Sequence, residues 1–392
     1  MIKTTIKNLF NIKPSSEVLI LFAMIAALIV ANSSLGNLYY EFFNIPLFAI
    51  DSLQLEKEIS LNTIINDFLM AIFFLLIGLH LKREILVGEL SSKAKIMLPI
   101  IAAAGGVIFP ALIFFFINSH QAEYLRGFAI PTATDIVFTY MVIKVFDKKI
   151  SSAAKVFLIT LAVVDDLIAI AIIAFFYTTQ LHIFYFIAAL LVVGFLALIH
   201  YKKSQSIFLY SFAGFLLWLC VLKSGIHPSV AGVVLAMFIP LKTKDHFPLK
   251  NLALTLAPIV NFVILPLFIF ANMGIKISNL SWQILSDSMV LGIACGLFFG
   301  KQIGVMLFSF IAIKLKLCQL PRDSNWAEFY CLAILTGIGF TMSLFVGNLA
   351  FWQEDLLNKV KVGVLLGSFA SAAVGSIMLI NLKSKITHPI SR

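Results

Sequence analysis

Two adjacent acids, Asp165 and Asp166, stand inside an unbroken apolar run, preceded by Leu161-Ala162-Val163-Val164 and followed by Leu167-Ile168-Ala169-Ile170. On a helix, neighbouring side chains point about 100° apart. The pair therefore lines two adjoining sides of a cavity instead of forming one bidentate claw. Carboxylate oxygens suit hard cations such as sodium, and no Cys/His cluster of the kind that takes zinc or copper accompanies them. Such a site holds either a proton or an alkali cation, and not easily both. Competition for one site is itself a mechanism of exchange.

Three further ionisable residues fall in apolar runs: Asp67, Asp135 and Lys301. Each costs about 2.5–3.5 kcal/mol at mid-membrane even on a lenient insertion scale. Lys301, in Leu297-Phe298-Phe299-Gly300-Lys301-Gln302, must shed its proton or pair with an acid, and pairing with Asp165 or Asp166 is the economical arrangement. Asp135 follows Thr134 in Ile130-Pro131-Thr132-Ala133-Thr134-Asp135, which puts a proline and two hydroxyls inside an apolar span. Thr336-Gly337-Ile338-Gly339-Phe340-Thr341 interrupts a later span in the same manner. Backbone groups freed at such breaks are tolerated only against protein or a water-filled cavity. A pair of interrupted spans is the best sequence pointer to a transporter's binding site, and Asp135 is suited to balance positive helix ends that meet there.

The elements that must carry these residues follow from composition. Of 392 residues, 61% are hydrophobic and 12% charged, with 38 Phe, against about 25% charged in a soluble domain. Mean hydropathy is +1.02. The apolar surplus has to face lipid. Apolar blocks of about twenty residues, the length of a membrane-crossing helix, recur along the chain. The sequence predicts an all-α membrane protein of about twelve transmembrane helices, with spans 4 and 11 discontinuous. One domain covers 1–392, and a turn-prone stretch at 33–61 reads as an extracytoplasmic hairpin. The N-terminal basic and apolar stretch is read as a retained first span, not a cleaved signal peptide.

The net charge of +10 marks topology and not a nucleic-acid footprint. With the N-terminus in the cytoplasm, 22 Lys and Arg fall on that side and 6 on the other, with Lys301 within a span. That bias is the positive-inside rule, and it places both termini in the cytoplasm of a bacterial inner-membrane protein. Cys220, Cys295, Cys318 and Cys331 have no metal or redox spacing and read as small apolar packing residues.

The ordered set of motifs resembles the NhaA-type sodium/proton antiporters from about residue 15 to 382. It comprises Ile65-Asn66-Asp67, Phe73-Phe74-Leu75-Leu76-Ile77-Gly78-Leu79 with Lys82-Arg83-Glu84, Pro131-Thr132-Ala133-Thr134-Asp135 and Val163-Val164-Asp165-Asp166-Leu167. Leu222-Lys223-Ser224-Gly225-Ile226-His227, Leu265-Pro266-Leu267-Phe268-Ile269-Phe270-Ala271-Asn272, Gly300-Lys301 and Gly337-Ile338-Gly339-Phe340-Thr341-Met342-Ser343 complete it. The resemblance implies a fold of inverted repeats in which Asp166 is the main sodium ligand and Asp165 its partner, with Lys301 paired to Asp165. Thr134 and Asp135 would stand at the crossing of the broken helices, whose backbone is shaped by Pro131, Gly337, Gly339 and Thr341. His227 would belong to the pH response, and Asp67, His80, Arg83 and Glu84 to that response or the access funnel. Sodium or lithium would leave the cell as protons enter, regulating internal pH and sodium. No cofactor is implied, and the 33–61 hairpin would form a homodimer in the lipid bilayer. The chain departs from the family at the funnel: His80 stands in place of an acid, and Ala253, Leu254 and Ala257 stand where the family has an acid and two histidines.

Two other readings compete. An intramembrane enzyme would need an acid in Gly337-Ile338-Gly339-Phe340, or Asp-Asp-x-x-Asp where position 169 is Ala. A sodium-coupled symporter of an organic anion on the same fold is the closer alternative, opposed by Lys301.

Overall fold

The computed structural model describes residues 16–48, 59–88, 93–178, 181–243, 246–277 and 281–382. These are helical apart from one antiparallel pair of short strands, β1 (Pro46–Phe48) and β2 (Ile59–Ser60). The helices are α1 (Ser16–Ala31), α2 (Gly36–Asn44), α3 (Leu61–Val87), α4 (Lys93–Asn118), α5 (Ile136–Val145), α6 (Ser152–Phe176), α7 (Ile183–Tyr201) and α8 (Ile207–Ser224). They continue as α9 (Ser229–Phe238), α10 (Pro248–Asn272), α11 (Ser288–Lys314), α12 (Trp326–Leu335), α13 (Phe340–Ala350) and α14 (Glu354–Asn381).

Among the described residues, nine helical stretches are long and apolar enough to cross a membrane, or eleven if two bent pairs are each one span. One pair is α1 with α2, bent by 113°, and the other α12 with α13, bent by 42°. Large apolar side chains lie open on the outside, including Phe175, Phe184, Leu191 and Phe116. In water such a surface would aggregate, whereas hydrocarbon solvates it. Apolar residues on every face are what a helix surrounded by lipid and other helices requires.

The chain divides into two compact units. Of the described residues, the first holds 16–17, 93–169 and 281–382, and the second those within 18–88 and 170–277.

In the first unit α4 and α11 cross at Gly105 and Gly304. A Cβ on either would run into the backbone carbonyl of the other, so only glycine permits this approach. One residue along, a Cβ on Gly106 would press on Val305 Cγ2 at 3.1 Å and meet the Lys301 side chain in ordinary contact, Cδ at 3.6 and Nζ at 3.7 Å. Helix α14 packs on both neighbours through its own small residues: Gly367 against Leu297 and Ala294, and Gly375 against Leu335.

In the second unit α3 packs on α9, with Gly78 against Ala236 and Gly232 against the Ala71 carbonyl. Helix α8 ends at Gly225, whose φ of 86° is the left-handed cap that a glycine adopts without penalty.

Candidate functional site

A 3₁₀ helix, Tyr124–Thr132, ends at Pro131-Thr132, and Ala133 and Asp135 are extended before α5 begins. Proline fixes its own φ and biases the preceding residue away from the helix, so the chain leaves helical geometry here. Across from it, residues 336–339 separate α12 from α13. Gly337 is pressed between the Leu297 carbonyl and the Ser371 hydroxyl, with no space for a Cβ. The two irregular segments bond to each other. The Asp135 N–H donates to the Ile338 carbonyl (2.6 Å) and the Thr134 hydroxyl lies 2.9 Å from the Thr336 carbonyl.

Asp135 caps two helices at once. Its Oδ1 accepts from the N–H groups of Val137 (2.9 Å) and Phe138 (3.1 Å) at the start of α5. Its Oδ2 accepts from the Thr341 N–H (2.8 Å) and the Thr341 hydroxyl (2.5 Å) at the start of α13. Both helix N-termini thus place orphan N–H groups and positive dipole ends on one carboxylate, 1% exposed. Ser343 and Ser368 complete the frame: the Ser343 hydroxyl donates to the Ile130 carbonyl (2.8 Å), and Ser368 Oγ accepts from the Gly339 N–H (3.1 Å).

Next to this crossing, α6 brings in Asp165 and Asp166, 1% and 2% exposed. Lys301, wholly buried, donates to Asp165 Oδ2 at 2.6 Å, and the Thr134 hydroxyl lies 2.7 Å from the same oxygen. The lysine pairs with Asp165 and not Asp166. Asp165 Oδ1 and Asp166 Oδ1 are buried and have no hydrogen-bond partner. Lys301 is placed by a π-helical turn, Gly296–Gly300, immediately before it. Such single turns re-aim a helix and recur at functional sites. Among the described residues no group of three or more His, Cys, Asp or Glu is arranged as a resident metal centre.

The family model for "Na+/H+ antiporter 1" matches residues 7–379. The chain belongs to this family. It is 45% identical over 380 residues to the Na(+)/H(+) antiporter NhaA 1 of Syntrophotalea carbinolica, covering 96% of each. It is 44% identical to the Na(+)/H(+) antiporter NhaA of Pelagibacter ubique, over 97% of this chain and 98% of that one. The Na(+)/H(+) antiporter NhaA 2 of Campylobacter jejuni subsp. doylei is 46% identical, over 92% and 95%.

The remaining residues singled out in this antiporter-family chain lie in the second unit. Asp67 is half-buried in a π-helical turn of α3, Ile64–Leu69. His227 lies just before α9, its Nε2 3.6 Å from Asp67 Oδ1. The Ser229 hydroxyl is 2.8 Å from His227 Nδ1, and the Ser229 N–H donates to the same nitrogen at 3.3 Å. The ring therefore caps α9. His80 and Arg83 are exposed and Glu84 half-buried at the far end of α3. The structure gathers Thr134, Asp135, Asp165, Lys301 and Thr341 into one network, and Asp67 with His227 into another pair.

Three residues escaped the sequence reading. Lys82 stands in the sequence only as part of a motif, whereas in the fold it is buried and donates to the carbonyls of Met237 and Ile239, both at 2.7 Å, closing the C-terminal end of α9. Glu328, 1% exposed, accepts from the Ser151 N–H at 2.6 Å, ahead of the helix that carries the acid pair. Its spacing from Asn325 is a capping-box signal, but the box predicts a local bond, and the carboxylate reaches across instead. Ser368 had no local signal, because only the approach of α14 gives its hydroxyl a role.

Proposed function

We propose that this protein is a secondary active antiporter that exchanges internal sodium or lithium for external protons at Asp165 and Asp166. The observation that carries the reading is a pair of buried carboxylates of which one is held by Lys301, while each keeps one oxygen without a partner. A buried charge left unpaired costs several kcal/mol. Asp166 is therefore neutralised either by a proton or by a cation, and the two occupants exclude each other. Asp165 completes the cation's coordination when sodium replaces the Lys301 ammonium as its counter-charge. Thr134 holds the shared oxygen in place, and Asp135 keeps the irregular segments assembled. A symporter reading gains no support, since the family and the relatives are antiporters.

The finer architecture belongs to the same proposal. The short apolar helix α9, added to the long helices and bent pairs, brings the spans to about twelve. The crossing at 133–135 and 336–339 is then the meeting of two discontinuous spans, one from each of two inverted repeats. The charge bias supports a bacterial inner-membrane location with both termini in the cytoplasm. A homodimer would form through 33–61. Within it the pairing of Pro46 with Ser60 supports a hairpin, while residues 49–58 lie outside the described residues. Monomers in native mass spectrometry after deletion of 45–58 are the expected result, and persisting dimers would reject that interface. Asp67 and His227, with His80, Arg83 and Glu84, would serve pH response or access.

The test is acridine-orange fluorescence in everted vesicles. Sodium or lithium is expected to collapse a pre-formed ΔpH, and Asp165→Asn and Asp166→Asn each to abolish the response. Undiminished exchange by Asp166→Asn at normal expression would remove the central claim.

A further inference from the structure

A groove of about 380 Å³ lies on the first unit, lined by Gln302, Ile303, Met306, Leu307 and Phe310 of α11 and by Tyr330 of α12. Its two polar side chains are already satisfied. The Gln302 carboxamide accepts from the Tyr330 hydroxyl (2.7 Å) and donates to the Phe298 carbonyl (2.6 Å). What remains is hydrocarbon surface, so the groove calls for an apolar occupant.

Position and charge narrow the choice. From Gln302 to Phe310 is eight residues, about 12 Å along a helix, which approaches the depth of one leaflet, about 15 Å of hydrocarbon. One turn beyond Phe310 the helix ends in Lys314, followed by Lys316 and Arg322, all exposed. Trp326 stands at this basic end against Phe310 (centroids 5.7 Å) and Phe329 (5.9 Å). Tryptophan marks the headgroup level of a bilayer, and clustered basic residues beside it attract anionic lipid. The apolar slot and then Lys314 follow one another along α11, with Trp326 of α12 against Phe310 at their junction, in the order tail, glycerol region and headgroup of a phospholipid.

We infer that this groove is a binding site for an anionic phospholipid. One acyl chain lies along Met306 and Phe310 and ends near Gln302, while Lys314, Lys316 and Arg322 hold the phosphate. The site is separate from the ion-binding acids, and the inference does not depend on the antiport reading. A second copy of this chain seated on the same face is the other occupant that the surface admits.

The experiment uses the full-length protein in phosphatidylcholine vesicles with a trace of phosphatidylglycerol carrying a diazirine in its acyl chain. A phosphatidylcholine probe with the same chain is the control. After irradiation, the peptide covering Met306 and Phe310 is expected to carry at least about 5-fold more phosphatidylglycerol than phosphatidylcholine. The ratio should fall to near one in the combined variant Lys314→Gln, Lys316→Gln and Arg322→Gln, whose exposed positions leave folding intact. Met306→Trp, which fills the slot, should suppress labelling by both probes at that peptide while labelling elsewhere is unchanged. Equal labelling by the two probes in the parent would mean bulk lipid alone and overturn the site. So would protection of this peptide from both probes, the result expected if a second copy covers the face.

Discussion

The buried network around Asp135, Asp165 and Lys301 and the pair of Asp67 with His227 use the same residue chemistry under different rules. In the first, the charged groups lie out of solvent and are held by bonds of 2.5–3.1 Å from named donors. In the second, the acid is half-buried and its histidine stands 3.6 Å away. Low dielectric makes a satisfied charge strong and an orphaned one expensive. In the second pair only Asp67 is partly exposed, and at 3.6 Å the contact is loose, so its loss costs less. The buried network is therefore the costlier of the two to disturb.

The largest effect is expected at Lys301. In Lys301→Ala the Asp165 carboxylate loses its counter-charge in a closed interior, which costs about 3–5 kcal/mol. A large drop in the unfolding midpoint of detergent-purified protein is expected, together with loss of exchange. A midpoint equal to the parent's would show that the pair contributes nothing to stability, and the contrast would collapse.

Thr341→Val comes next. It removes the hydroxyl that donates to Asp135 Oδ2 but keeps the backbone N–H bond to the same oxygen. The expected loss is about 1–3 kcal/mol, the cost of one buried acceptor left short. Thermal unfolding and sodium-driven ΔpH collapse should both weaken and neither should vanish. Complete inactivation at parental stability would move Thr341 from the frame to the ion path.

The smallest effect belongs to His227→Gln, with a stability change within about 1 kcal/mol. Exchange should persist with an altered dependence on pH. On the proposed competition of protons and sodium at Asp165 and Asp166, more sodium displaces the proton at a given acidity. Raising sodium should therefore move the activation midpoint to lower pH. With Ala253, Leu254 and Ala257 unable to titrate, rates between about pH 6 and 9 should rise gradually. A steep midpoint unmoved by sodium would reveal a separate sensor, and loss of exchange in His227→Gln would place this pair in the transport site.

Much of the acid pair's surroundings was legible in the chain itself, because the physics is local. A charge in an apolar run is costly wherever the run folds, so Asp135, Asp165, Asp166 and Lys301 declared themselves. Proline and glycine likewise interrupt a helix by their own backbone limits, and Pro131, Gly337 and Gly339 lie where the chain leaves the helix.

What the residues by themselves left open was pairing, which only the family resemblance assigned to Lys301 and Asp165. Adjacent Asp165 and Asp166 are equivalent as letters. Their 100° separation on one helix lets one of them face Lys301 and Thr134 and leaves the other acid without them, and only the packing of other elements against α6 decides which. The double capping by Asp135 likewise needs α5 and α13 to start at the same point. Glu328, Ser368 and Lys82 gain their roles only from neighbours far along the chain. Composition and local backbone chemistry determined the membrane, the helices and the costly residues. Tertiary packing decided which charge answers which among groups whose own chemistry leaves them equivalent, because a hydrogen bond's direction and length depend on both partners and a sequence shows each of them singly.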